Sequence, residues 1–140
     1  MKSEKYGKYL RIKPENQDVQ LGGTAIDENS IFEIEGPDRD GAIFLKPDNF
    51  EKVIFVNKNS GFVSLWEKGS WWARLFIRFI GDSTTRIRIV SAIRQADLFA
   101  KDKGGWIDVE ATNDYEEGQE VWTVECTEER KDKLYLISIF

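Results

Sequence analysis

Five tryptophans, Trp66, Trp71, Trp72, Trp106 and Trp122, are the residues best able to do recognition chemistry in this 140-residue chain. An exposed indole stacks on the apolar C–H face of a sugar ring or anchors a protein interface. Trp66, Trp71 and Trp72 stand close together in sequence and form one candidate binding patch. The competing reading folds the same rings over apolar surface as part of the packing.

Catalytic chemistry has little to work with. The chain contains no histidine, which removes the commonest general base, the commonest metal ligand and every triad built on imidazole. Carboxylates are plentiful, but nothing marks an acid pair of the glycosidase kind. The segment Asp38-Arg-Asp-Gly41 opens like a calcium loop, yet the later ligand positions do not follow, so it reads as a turn. Cys126, the lone cysteine, has no disulfide partner and sits at the end of an expected strand, where it reads as a small buried hydrophobe. We therefore expect no enzyme, no catalytic residue, no metal site and no cofactor.

Bulk composition bounds the partners. Hydrophobic residues are 41% and aromatics 13%, which marks a globular chain of ordinary domain size. The net charge of −5 makes nucleic acid a poor default partner. The start of the chain is polar and lacks the apolar core of a signal peptide, and no apolar run has the length of a membrane span. A cytoplasmic or non-classically secreted protein is the expectation. Charge is uneven: residues 50–91 hold seven basic and three acidic side chains, whereas residues 93–140 hold six basic and twelve acidic. Arg74, Arg78, Arg86 and Arg88 alternate with apolar residues and could form a basic stripe beside the tryptophans.

The elements that must position these side chains are strands. Apolar and polar residues alternate over short runs separated by Gly, Pro, Asn and Asp turns, and helical periodicity is nearly absent. Twelve strands are expected: 9–13, 19–22, 31–35, 42–46, 53–57, 62–66, 74–80, 86–91, 98–101, 106–110, 121–125 and 134–139. A shift of about 44 positions superposes the apolar residues, with Leu10 on Ile54 and Leu98, and Val19 on Val63 and Ile107. Phe32 falls on Phe76 and, after two or three extra residues in the third copy, on Trp122; Leu45 and Ile89 likewise meet Leu136. Three four-stranded copies over about 6–47, 50–91 and 93–140, within a single domain spanning 1–140, are too few for a propeller and carry no solenoid caps. Closing them on one another removes exposed sheet edges.

An all-β chain of this pattern resembles a β-trefoil, in which six strands make a barrel and six make three hairpins that cap one end. Two families within that fold are the nearest. The segments Gly7-Lys-Tyr-Leu-Arg-Ile and Asp97-Leu-Phe-Ala-Lys-Asp-Lys-Gly-Gly-Trp resemble the fascin and hisactophilin pattern. The segments Val63-Ser-Leu-Trp66 and Gln119-Glu-Val-Trp122 resemble the ricin-B-type lectin pattern, although two residues rather than one separate Gln119 from Trp122. The lectin resemblance implies a sugar held by an acid, an aromatic ring and an amide, which in the third copy would be Asp97, Trp106 and Asn113. Asp and Asn are also common turn formers.

Repeat symmetry sorts the tryptophans. Trp122 shares the slot of Phe32 and is expected in the core. Trp66 aligns with Gly22 and Glu110, Trp71 and Trp72 with Asp27 and Glu28, and Trp106 with Asp18 and Phe62, so these four should point away from the barrel core. Arg78 aligns with Ile34, which implies either a slipped strand register or a part-buried arginine beside a carboxylate. Leu75, Ile77 and Phe79 supply an apolar second strand face that could seed a homodimer. The expected function is non-catalytic recognition of a glycan through Trp66, Trp71, Trp72, Asp97, Trp106 and Asn113. The alternative is a protein ligand, either the cytoskeleton, as the fascin resemblance implies, or a protease inhibited by a projecting loop.

Overall fold

The computed structural model describes residues 1–22, 26–104 and 106–125. Within them run thirteen strands: β1 (Lys2–Ser3), β2 (Tyr9–Ile12), β3 (Val19–Gly22), β4 (Phe32–Glu35), β5 (Phe44–Pro47), β6 (Val53–Val56), β7 (Val63–Trp66), β8 (Leu75–Phe79), β9 (Arg86–Ser91), β10 (Ala96–Asp97), β11 (Phe99–Asp102), β12 (Ile107–Glu110) and β13 (Trp122–Thr123). Single 3₁₀ turns at Glu28–Ser30 and Trp71–Ala73 precede β4 and β8. Eleven of the twelve expected strands coincide with these elements; the twelfth, 134–139, and with it Leu136 and Cys126, lies outside the described residues. No helix among the described residues is long and apolar enough to cross a membrane.

The pairing sorts the strands into two layers. β1, β13, β9 and β8 lie side by side antiparallel, β8 meets β5 through the Ile43–Leu75 bridge, and β5 pairs β4. These six strands are the barrel wall. The hairpins β2–β3, β6–β7 and β11–β12 form the cap, joined by β3–β12 pairing and the Phe62–Glu110 bridge. The chain is a β-trefoil. Its units run β1–β4, β5–β8 and β9–β13, so each begins with a barrel strand, and the copies 6–47, 50–91 and 93–140 cut the same pattern one strand later. Lys2, Lys46 and Val90, each 44 residues from the next, start this count in equivalent barrel strands.

The core draws on the repeating positions. Leu10, Ile34, Leu45, Ile54, Ile89 and Trp122 all belong to one buried cluster. Trp122 is fully buried, and its indole N–H donates to the Leu98 carbonyl at 3.0 Å, which satisfies the one polar atom that burial would otherwise strand. In the β6–β7 loop, Gly61 sits at φ 79°, and a Cβ there would lie 2.8 Å from the Ala111 carbonyl oxygen, so only glycine fits.

Two registers depart from the 44-residue shift. The N-caps of the two 3₁₀ turns, Asp27 and Ser70, are 43 residues apart, so β8 enters one residue early. Leu75 therefore pairs with Ser91 as Phe32 pairs with Pro47 and Trp122 with Ser3. The core mate of Phe32 and Trp122 is Leu75, not Phe76. The slip also explains Arg78, which is exposed and faces Arg88 across the ladder rather than filling the slot of Ile34. Leu75 is buried, and Ile77 and Phe79 are partly buried against the core, so this face of β8 turns inward. In the third unit the loop from Asp102 to Ile107 is two residues shorter than its counterparts, so Ala100 rather than Leu98 takes the position of Leu10 and Ile54, pairing with Val109 as they pair with Leu21 and Leu65.

Candidate functional site: an aromatic face on the second unit

Phe55 is the centre of the tryptophan cluster. It sits on β6 with its ring 5.6 Å from Trp66 and 5.4 Å from Trp72, both tilted by about a third of a right angle, at 33° and 34°. Such offset, tilted pairs add about 0.5–1.5 kcal/mol beyond area burial. Trp72 is half-buried in this packing, whereas Trp66 and Trp71 keep 56% and 68% of their surface exposed. The two readings of the cluster thus divide: Trp72 packs, and Trp66 and Trp71 present open ring faces.

The 3₁₀ turn sets these directions. Ser70 caps it, its hydroxyl oxygen accepting from the Trp72 N–H at 3.2 Å. Ala73 is fully buried and pins the turn to the core, which leaves Trp71 outside. The Arg74 guanidinium then lies 4.7 Å over the Trp71 ring, a cation–π contact that holds the indole in place. Arg74 also donates from Nε to Asp38 at 3.1 Å and from Nη2 to Asp40 at 3.2 Å. Asp38 in turn accepts backbone N–H bonds from Asp40 and Ala42. Desolvation pushes the Asp38 carboxyl up, but Arg74 and the two N–H donors outweigh it and hold the group below the usual aspartate range.

Two clefts flank this arrangement. One, of about 260 Å³, is lined by Asp38, Phe44, Gly69, Ser70, Trp71 and Arg74. The other, of about 240 Å³, is lined by Glu35, Phe44, Val53, Lys68 and Gly69. Lys68 reaches Glu35 at 3.5 Å and Glu51 at 3.7 Å. Both clefts therefore combine an aromatic wall with paired charges. Such surfaces can stack on apolar ring faces and exchange hydrogen bonds with hydroxyl groups.

The second candidate set is not gathered. Asp97 is buried, and both its oxygens are engaged, by the Arg88 guanidinium and by the Tyr115 hydroxyl at 2.8 Å. Burial first, and then the Asp97 hydrogen bond, raise the Tyr115 phenol. Trp106 is 51% exposed at the turn end of the β11–β12 hairpin, beside a cleft with Lys8, Lys13 and Gln20. Asp97 and Asn113 flank the other end. The three residue steps from the Asp102–Ile107 pair to the Phe99–Glu110 pair separate the two ends by roughly 10 Å at the usual strand rise.

The expected basic stripe is largely neutralised. Arg74 is paired with Asp38 and Asp40, Arg86 with Glu4 at 2.8 Å, and Arg88 with Asp97. The hydrogen bond from Arg86 is the main cause that lowers the Glu4 carboxyl. Among the described residues no three His, Cys, Asp or Glu side chains converge as metal ligands. Sequence reasoning missed Phe55, Phe44 and the Asp38–Arg74 pair. Phe55 had a signal, since it replaces Arg11 of the first unit; Asp38 and Arg74 stand 36 residues apart and had none.

No family model matches the chain, and no curated protein matches it by sequence. Solved structures do match in fold. SeviL, solved bound to asialo-GM1 saccharide, superposes with a TM-score of 0.72 over 90% of this chain and 94% of its own, at 12% identity. The β-trefoil BEL superposes with a TM-score of 0.72 over 88% and 90% of the two chains, at 14% identity. A GlcNAcα1-4Gal-releasing endo-β-galactosidase from Clostridium perfringens matches at 18% identity and a TM-score of 0.67, over 89% of this chain but 31% of that enzyme.

Proposed function

We propose that this chain is a non-catalytic glycan-recognition module whose site is the aromatic face of the second unit. One observation carries the reading: the indole of Trp71 is solvent-facing yet held by Arg74, directly beside a cleft that also holds the Asp38 carboxylate. A rigid exposed ring loses little entropy when a sugar stacks on it. The neighbouring carboxylates accept hydroxyl protons, Lys68 donates, and Trp66 extends the apolar platform. The match to SeviL, a protein solved with a bound saccharide, supports the choice of a sugar as ligand.

The test is a broad glycan array with the wild-type chain, repeated with Trp71→Ala and Trp66→Ala. Trp71→Ala should weaken binding at least tenfold while the thermal midpoint moves by only a few degrees, because an exposed ring contributes little to stability. Trp72→Ala should instead lower stability clearly, since Trp72 packs on Phe55. Silence across the array at high protein concentration would overturn the proposal. Co-sedimentation with filamentous actin that depends on Trp66 and Trp71 would then replace the sugar with a protein partner.

A further inference from the structure

The two clefts of the second unit share a wall. Phe44 and Gly69 line both, so the cleft under Trp71 and the cleft beside Lys68 are neighbours on one surface. Neither alone, at about 260 and 240 Å³, reaches the roughly 300 Å³ at which small-molecule pockets begin. Together they pass it. A ligand that fills only one cleft buries little surface, and a ligand that crosses Gly69 buries surface in both. Gly69 suits such a crossing: it has φ 98°, and nothing lies within 4 Å of where a Cβ would stand, so the floor between the clefts is low and open.

The charges select among sugars. Two cations face this surface, and both are already bracketed by acids: Arg74 by Asp38 and Asp40, Lys68 by Glu35 and Glu51. Glu51 is shared with buried Lys46 at 3.6 Å, so each of these cations already has a carboxylate partner. A sugar carboxylate or sulfate would have to compete with the carboxylates already bound to Arg74 and Lys68, and like-charge contacts are disfavoured. Hydroxyl groups suffer no such penalty, since they donate to carboxylates and accept from Lys68.

Resting on the glycan reading above, we propose that the two clefts act as one site for an uncharged oligosaccharide, taking one sugar residue in each cleft on either side of Gly69. The Trp71 cleft stacks the first residue, and the Lys68 cleft hydrogen-bonds the second.

Calorimetric titration tests this with maltose, cellobiose, lactose, N-acetyllactosamine, their component monosaccharides and 3′-sialyllactose. At least one neutral disaccharide should bind tenfold or more tightly than either of its components. Trp71→Ala and Lys68→Ala, both at exposed side chains, should each weaken that disaccharide by fivefold or more. For lactose and N-acetyllactosamine, whose two residues differ, each component monosaccharide should respond to one of the two substitutions only. Sialylation should weaken lactose binding. The proposal is overturned by a monosaccharide that binds as tightly as its disaccharide, by insensitivity of the disaccharide to Lys68→Ala, or by preference for 3′-sialyllactose. In those three outcomes the glycan reading survives if Trp71→Ala still abolishes sugar binding. Failure of every sugar here and on the array removes both.

Discussion

At the end of the second hairpin strand the first unit has Gly22 and the second has Trp66. The flanking elements correspond: a six-residue loop joins the hairpin strands in both units, and a capped 3₁₀ turn follows. The coverings differ completely. In the first unit Arg11 crosses over Gly22, its Cδ only 2.7 Å from where a Cβ would stand, and reaches the N-cap carboxylate of Asp27 at 3.4 Å. In the second unit Phe55 takes the place of Arg11, Ser70 that of Asp27, and the space fills with Trp66 and Trp72. One surface is a polar clamp and the other an aromatic one. The buried residues beneath are shared in kind, so packing against the core sets the backbone and leaves this outer layer free to change.

The largest expected effect tests that division. Trp122→Ala and Phe32→Ala remove residues from the slot that all three units use, and each should cost about 3–5 kcal/mol. Trp66→Ala, at an outer position, should cost about 0.5–1.5 kcal/mol, the worth of its contact with Phe55. Urea unfolding measures all three, and similar losses at the inner and outer sites would break the comparison.

A graft sharpens it. Gly22→Trp forces an indole into the path of Arg11 and should destabilise the chain by about 1–3 kcal/mol. Adding Arg11→Phe rebuilds the aromatic pairing of the second unit and should recover part of that loss, with a coupling of about 0.5–3 kcal/mol. Additive behaviour in the double-mutant cycle would mean that the two clamps are not interchangeable on this backbone.

The smallest effect is electrostatic. Asp38 has a depressed carboxyl in the folded state, held down by Arg74 and backbone N–H groups against desolvation. A lowered folded value means that the contribution is present above the unfolded aspartate range and fades as pH falls through the folded one. Thermal midpoints of the wild type should therefore drop more steeply below about pH 4 than those of Asp38→Asn, given an unfolded aspartate near 3.9. Parallel curves would mean that the Asp38–Arg74 pair adds nothing beyond orienting Trp71.

Strand positions and the threefold pattern were legible in the chain because both are local or periodic. Alternation with period two marks a strand, Gly, Pro, Asn and Asp mark its ends, and core slots recur wherever the same geometry recurs. The burial of Trp122 and the exposure of Trp66, Trp71 and Trp106 followed from that alone. Period two also leaves an ambiguity that no alternation can remove. Leu75, Ile77 and Phe79 form one apolar face of β8, and Phe76 and Ile80 lie on the other; a one-residue slip exchanges them. The early 3₁₀ turn, fixed by Ser70 and buried Ala73, decided for Leu75. The candidate site was decided by folding in the same sense. Asp38, Phe44, Phe55 and Arg74 come from separate elements, and only the packing of the second unit around its core brings them to the tryptophans. Asp97, by contrast, looked free in the sequence and is taken by Arg88 and Tyr115, partners that no local spacing could have named.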